Sequence, residues 1–182
     1  MAAERSTAAR RRAQAIAAGM RVFADRGLTT SAMQGVAEEI GVSQPYVFRL
    51  FGSKQAFFLA CLDEVEAQVR AVLRQAAATH PDAPLPAMRA EFRKLIADGV
   101  ITGFWLQACA VARADEAVAE RCRLLLSDLL AEAGRPSEAR PEDLAQSLAT
   151  GALVVMLQAL GVDLTGGSQA AVDSLRQERT VG

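Results

Sequence analysis

Hydrogen-bonding and charged side chains crowd one short stretch of this chain: Ser43, Gln44, Tyr46, Arg49 and Lys54, set among Pro45, Val47, Phe48, Leu50 and Phe51. None is a nucleophile beside a base, so the chemistry on offer is recognition rather than bond making. A Gln amide can pair bidentately with adenine, and a Tyr ring can pack on a thymine methyl. Ser, Tyr, Arg and Lys can donate to phosphate oxygens, as can Thr30 at the start of the preceding segment. Pro45 sets the entry of a helix and stands where it can touch a base edge. Groups for other chemistry are missing. His80 is the only histidine, and Cys61, Cys109 and Cys122 have no CxxC spacing. No glycine-rich phosphate loop is visible. No enzyme, metal or cofactor is expected, and the cysteines are expected to be buried thiols.

Presenting those groups outward requires an apolar seam beneath them. Val36, Ile40, Val42, Val47 and Leu50 or Phe51 recur at helical spacing. Ala37 is small where two helices nearly touch, and Gly41 permits a turn with positive φ. Residues 33–52 therefore predict a helix-turn-helix. Hydroxyls at Thr29, Thr30 or Ser31 start its first helix, which runs to Ile40; Ser43 caps the next, with Pro45 in its first turn. Upstream, Ile16, Met20 and Phe23, with Ala13 and Ala17, mark a helix from about Thr7 to Arg26, ended by Gly27. Downstream, Ser53 caps a long helix from about Lys54 to Ala78. The three prolines between His80 and Pro86 predict a loop. Further helices are expected at about Leu85–Asp98, Thr102–Arg113, Asp115–Ala133 and Glu142–Val162, with a loop over Gly134–Pro141. From Thr165 onward a flexible tail is expected. The expected fold class is all-α, and no repeat or strand-like alternation is visible.

Charge is unevenly distributed. Residues 1–54 hold eight Arg or Lys against four Asp or Glu, and the remainder twelve against seventeen. A basic head on an acidic body implies a polyanion partner for the head. Arg10, Arg11 and Arg12 can reach phosphates or form a solvated run. No signal peptide is visible, and the longest apolar stretch, Gly151 to Val162, is interrupted by Gln158 and too short for a bilayer. A cytoplasmic protein with no membrane partner is expected.

The run Thr29-Thr30 … Val36-Ala37-Glu38-Glu39-Ile40-Gly41-Val42-Ser43-Gln44-Pro45-Tyr46-Val47-Phe48-Arg49-Leu50-Phe51-Gly52-Ser53-Lys54 resembles the DNA-binding domain of the tetracycline-repressor (TetR) family over about residues 8–60. The resemblance implies a homodimer bound to double-stranded operator DNA through an N-terminal head, and a helical body that binds a small molecule and forms the dimer interface. The expected division is 1–54 for the head, 55–164 for the body and 165–182 for the tail. Phe48 and Leu50 depart from the family's usual Tyr and His, and packing roles are expected for both. In the body, Met88, Phe92, Phe104, Trp105, Gln107 and Cys109 are the ligand-binding candidates. Val118, Cys122, Leu125 and Leu129, with Leu144, Leu148, Gly151, Ala152, Val155 and Ala159, are the candidates for the dimer interface. The implied function is a repressor released by an apolar or amphipathic effector. An effector-independent DNA-binding or architectural protein is the alternative, which a solid core in the body would favour.

Overall fold

The structure, a computed structural model, describes residues 2–137, 139–162, 164, 171–173 and 175–176. Up to residue 159 the helices are, in chain order, α1 (Ala2–Arg26), α2 (Thr30–Glu39), α3 (Gln44–Phe51), α4 (Lys54–Thr79), α5 (Pro84–Leu95), α6 (Val100–Ala112), α7 (Glu116–Ser137) and α8 (Pro141–Ala159). No strand occurs among the described residues.

Local signals place the first four helices. Of the three hydroxyls before α2, Thr29 is the cap, its Oγ1 accepting from the Ala32 N–H at 3.1 Å. Ser53 caps α4 in the same way, accepting from Ala56 at 3.0 Å. Gly41 makes the α2–α3 turn at φ 66°, a conformation an L side chain adopts at a cost. Ser43 is the N-cap of α3 by backbone position, but its hydroxyl makes no capping hydrogen bond. At 26 residues α4 is about 39 Å long. It crosses from the head into the body.

Two expected loops are shorter than expected, each giving up residues to a helix. Pro84 and Pro86 lie in the first turn of α5, where a missing N–H costs nothing, so the connection shrinks to His80–Ala83. Helix α7 continues through Gly134 and carries Pro136 in its last turn. On α1 the buried face is Ala15, Ala18, Met20, Val22 and Phe23; Ala13 and Ala17 are exposed. The tail expected from 165 onward falls mostly outside the described residues. Residues 171–173 and 175–176 are helical, and Ala171 is fully buried.

One hydrophobic core runs through head and body. Its centre is aromatic. Phe23 of α1 meets Phe57 and Phe58 of α4 edge-on, at 5.2 and 5.3 Å between centroids. Phe58 stacks on Phe104 of α6 at 4.8 Å. Helix α6 reaches α1 because residue 103 is glycine: a Cβ there would lie 3.2 Å from the Ala24 Cβ. On the other side of α4, a charged ladder sets its register against α7. Arg74 grips Glu132 with two hydrogen bonds of 2.8 Å, Arg70 pairs with Glu66 at 2.9 Å and Glu132 at 3.2 Å, and Arg121 bridges Asp63 and Glu66.

Candidate DNA-binding face and effector cavity

Helix α3 is fastened from beneath and open above. Val47 and Phe51 are buried, and Leu50 packs half-buried against the core. Pro45 and Arg49 are exposed, while Gln44 and Tyr46 are half-buried. The Arg49 guanidinium lies 5.4 Å from the centre of the Tyr46 ring, so the two share one face. Ser43 and Thr30 stand exposed at the amino ends of α3 and α2, where free N–H groups favour anions. Phe48, expected to pack, is 36% exposed and lies on the outer side with Arg49. The departure from the family's pattern is visible in the sequence, but the direction of the side chain depends on where the core ends.

The basic groups divide between gripping outward and holding the head together. Lys54 donates from Nζ to the Leu28 carbonyl at 3.0 Å, tying the start of α4 to the α1–α2 connection, with its other N–H groups left over. Arg12 donates to the Leu50 carbonyl at 3.0 Å and covers the Phe51 ring at 4.3 Å. Arg11 reaches the Ile40 carbonyl at 3.3 Å. These two guanidinium groups sit at the carboxyl ends of α3 and α2, where the helix dipole is negative. They belong to the scaffold of the reading helices, a role their terminal position in the sequence concealed.

A cavity of about 440 Å³ opens among α4, α5, α6, α7 and α8. Of the six ligand candidates, Met88, Phe92 and Trp105 line it, and Phe104, Gln107 and Cys109 do not. The reason is helical phase. Ile101, Thr102 and Trp105 form the cavity face of α6, whereas Phe104 points to Phe58 and Gln107 to Gly27 at the end of α1. Cys109 is exposed. The rest of the wall is mostly aliphatic, with Val65, Val69, Leu125 and Leu129 from α4 and α7. Its polar members are Arg89, Thr102 and Ser147, none of which stands out in the sequence. The Thr102 hydroxyl donates to Gly99 and is already engaged. Burial pushes the Cys61 and Cys122 thiols upward, Cys122 to about 11, helped there by Cys109. They are protonated at neutral pH and make poor nucleophiles.

Residues 15–61 match the model of the bacterial regulatory proteins, tetR family. That span contains α2, α3 and the turn between them. The head is thus similar to the DNA-binding region of that family. It is 36% identical over 72 residues to the HTH-type transcriptional activator FasR of Mycolicibacterium smegmatis, a match spanning 40% of this chain and 33% of that protein. The fold is also that of a TetR-family transcriptional regulator from Mesorhizobium loti, with a TM-score of 0.64 at 16% identity, covering 79% of this chain and 78% of that one.

In the body the two expected interface stripes part company. Val118, Cys122 and Leu125 of α7 are buried in the protomer's own core, and Leu129 is half-buried on the cavity wall. Their 4, 3, 4 spacing identifies an apolar face without saying which neighbour it meets. On α8, Leu148, Gly151, Ala152 and Val155 border the cavity, with Leu148 and Ala152 also exposed; Leu144 packs near Gly134, and Ala159 is exposed. The outward side of α8 and its C-cap carry Leu153, Met156 and Leu160, exposed by 41, 50 and 71%. No single helix among the described residues is long and apolar enough to cross a membrane.

Proposed function

We propose that this chain is a homodimeric, operator-binding regulator of transcription whose grip on DNA is set by a small apolar or amphipathic molecule in the body cavity. The observation that carries the reading is the double role of α6. One face, Ile101, Thr102 and Trp105, walls the cavity; the other, Gly103, Phe104 and Gln107, rests on α1 and the head's aromatic cluster. A ligand that displaces α6 therefore acts on the element that seats the head. For this to release DNA, the ligand must prefer the conformer that fits DNA poorly, and reciprocity then requires DNA to weaken ligand binding.

Gln44, Pro45 and Tyr46 are assigned to base edges, and Thr30, Ser43, Arg49 and Lys54 to the phosphate backbone. The dimer is assigned to the outward stripe of α8, because a contiguous apolar face of this kind is unusual on a monomer. A two-fold dimer places two heads on successive major grooves, about 34 Å apart. Selection from random duplexes should then return inverted repeats, and Leu160→Glu should convert the dimer to monomers in sedimentation. Recovery of single half-sites alone would count against the symmetric dimer. The presence of the cavity favours this reading over an effector-independent DNA-binding protein. We assign the sign of regulation as repression. The name of the M. smegmatis relative favours activation instead, and transcription in vitro from an operator-bearing template separates the two.

Titration of operator complexes while following Trp105, the only tryptophan, tests the coupling. A ligand that shifts Trp105 emission should displace operator. If ligands that perturb Trp105 leave operator affinity unchanged, the release mechanism fails.

A further inference from the structure

The cavity wall is largely apolar, and Arg89 of α5 contributes its single charged group. Its guanidinium is positioned without being neutralised. Nε and Nη2 donate to Ser147 Oγ of α8 at 3.1 and 2.6 Å, and Nη2 also approaches the Asp143 carbonyl at 3.4 Å. The Ser147 hydroxyl spends its own proton on the same carbonyl, at 2.7 Å. Nη1 has no hydrogen bond among the described residues, and Arg89 forms no ion pair among them. Asp143 lies within electrostatic reach of Arg89, but its carboxylate is held by Arg140 at 3.2 Å. Arg89 is half-buried on the cavity wall, and a ligand anion there can take the N–H donors that its protein partners leave over.

We infer that the cavity is built for an amphipathic monoanion, its anionic head on Arg89 and its apolar body running toward Trp105. This rests on the proposed effector role of the cavity and names the class of ligand. A volume of about 440 Å³ is within the range of small-molecule sites. The guanidinium fork, oriented by Ser147, matches a carboxylate, and such a charge-assisted pair is stronger than a neutral one. An anion on Arg89 also competes with Ser147 and the Asp143 carbonyl for the same donors. Binding thus loosens the tie between α5 and α8.

The test uses the full chain at pH 7, reading Trp105 fluorescence with three probes of one chain length: decanoate, decan-1-ol and decyltrimethylammonium. Decanoate is expected to bind at least about tenfold more tightly than decan-1-ol, with the cation weakest, as a charged hydrogen bond implies. Arg89→Gln, which keeps an amide donor for Ser147, should bring decanoate down to the affinity of decan-1-ol while leaving the alcohol unchanged. Arg89→Lys should retain part of the preference. Equal binding of acid and alcohol by the unmodified protein overturns the anion assignment and leaves the cavity as an apolar effector site. A preference for the acid that survives Arg89→Gln overturns it as well. If no probe perturbs Trp105, both the anion assignment and the effector reading fall. Should Arg89→Gln not fold, the ratio of acid to alcohol in the unmodified protein still decides.

Discussion

The head and the body of this chain meet opposite packing conditions. In the head, α3 buries Val47 and Phe51 and turns its polar side chains outward over a solid base. In the body, α5 to α8 leave space in the middle and turn apolar side chains into it. A recognition helix must hold polar groups in fixed positions, so every anchor beneath it is filled. A cavity for a variable ligand needs the reverse, incomplete packing with few polar groups to orient the occupant. Helix α6 lies between these two regimes, with one face in each.

The sharpest way to break that contrast is to truncate neighbours on α6. Phe104 is fully buried against Phe23 and Phe58. Phe104→Ala should cost about 3–5 kcal/mol in denaturant unfolding. Trp105 already borders empty space, so Trp105→Ala should cost less than half as much, while impairing ligand-driven release and leaving DNA binding of the ligand-free protein nearly intact. Equal destabilisation by the two changes would mean that α6 does not separate a solid core from a binding cavity.

Within the head, reading and positioning separate next. Gln44→Ala should reduce preference at one base position by about 1–3 kcal/mol, with little effect on random duplex DNA. Lys54→Ala should weaken both DNAs and lower the salt slope by about one unit. Because Lys54 also holds the Leu28 carbonyl, a modest loss of thermal stability should accompany it. Binding over a salt series on both DNAs resolves these; a Gln44→Ala protein with intact specificity would remove that residue from base reading.

A smaller effect distinguishes the arginines. Arg12 is bonded to the Leu50 carbonyl and stacked on Phe51, so Arg12→Ala should lower stability by about 1 kcal/mol as well as weakening DNA binding. Arg49 makes no ion pair among the described residues, and Arg49→Ala should leave thermal unfolding unchanged while lowering the salt slope. Identical melting curves for the two variants would return Arg12 to the role of a solvated charge.

Much of the head is legible in sequence because its determinants are local. Thr29, Gly41, Ser53 and the Ala37–Gly41 spacing fix caps and turns within a few residues. The roles of Arg11 and Arg12 are not, since their carbonyl partners lie 29 and 38 residues away. In the body the same limit is severe. Apolar spacing identifies a face on α6 and on α7 but not its neighbour, so it groups Phe104 and Gln107 with Trp105 and assigns Val118 and Cys122 to an interface. Arg89 gives no signal, because a lone arginine on a helix carries no local sign of what it faces. Pro84 and Pro86 read as breakers, although at the start of a helix they are tolerated.

The smallest expected effect concerns the ladder that fixes α4 against α7. Glu132 is only 9% exposed, and its two oxygens accept from Arg74 at 2.8 Å. Those hydrogen bonds hold its carboxyl below the ordinary value of 4.5, against the opposing pull of burial, with the charges of Arg74, Arg70 and Arg135 adding to the lowering. A carboxyl whose folded pKa is depressed contributes stability that is complete above its unfolded value and is lost as pH falls through the folded one. The melting temperature should therefore be flat from neutral pH down to about 5 and decline as pH falls below that ordinary value. Glu132→Gln should lower the plateau slightly and make the acid decline shallower. Operator affinity of the folded protein at neutral pH should be unchanged, because the ladder contributes to the body and touches no group on the reading face. If the Glu132→Gln profile kept the same acid slope, the apolar seam of Val65, Val69 and Leu73 against Leu125 would be sufficient to set the register of α4. The ladder would then be a consequence of that packing rather than a cause.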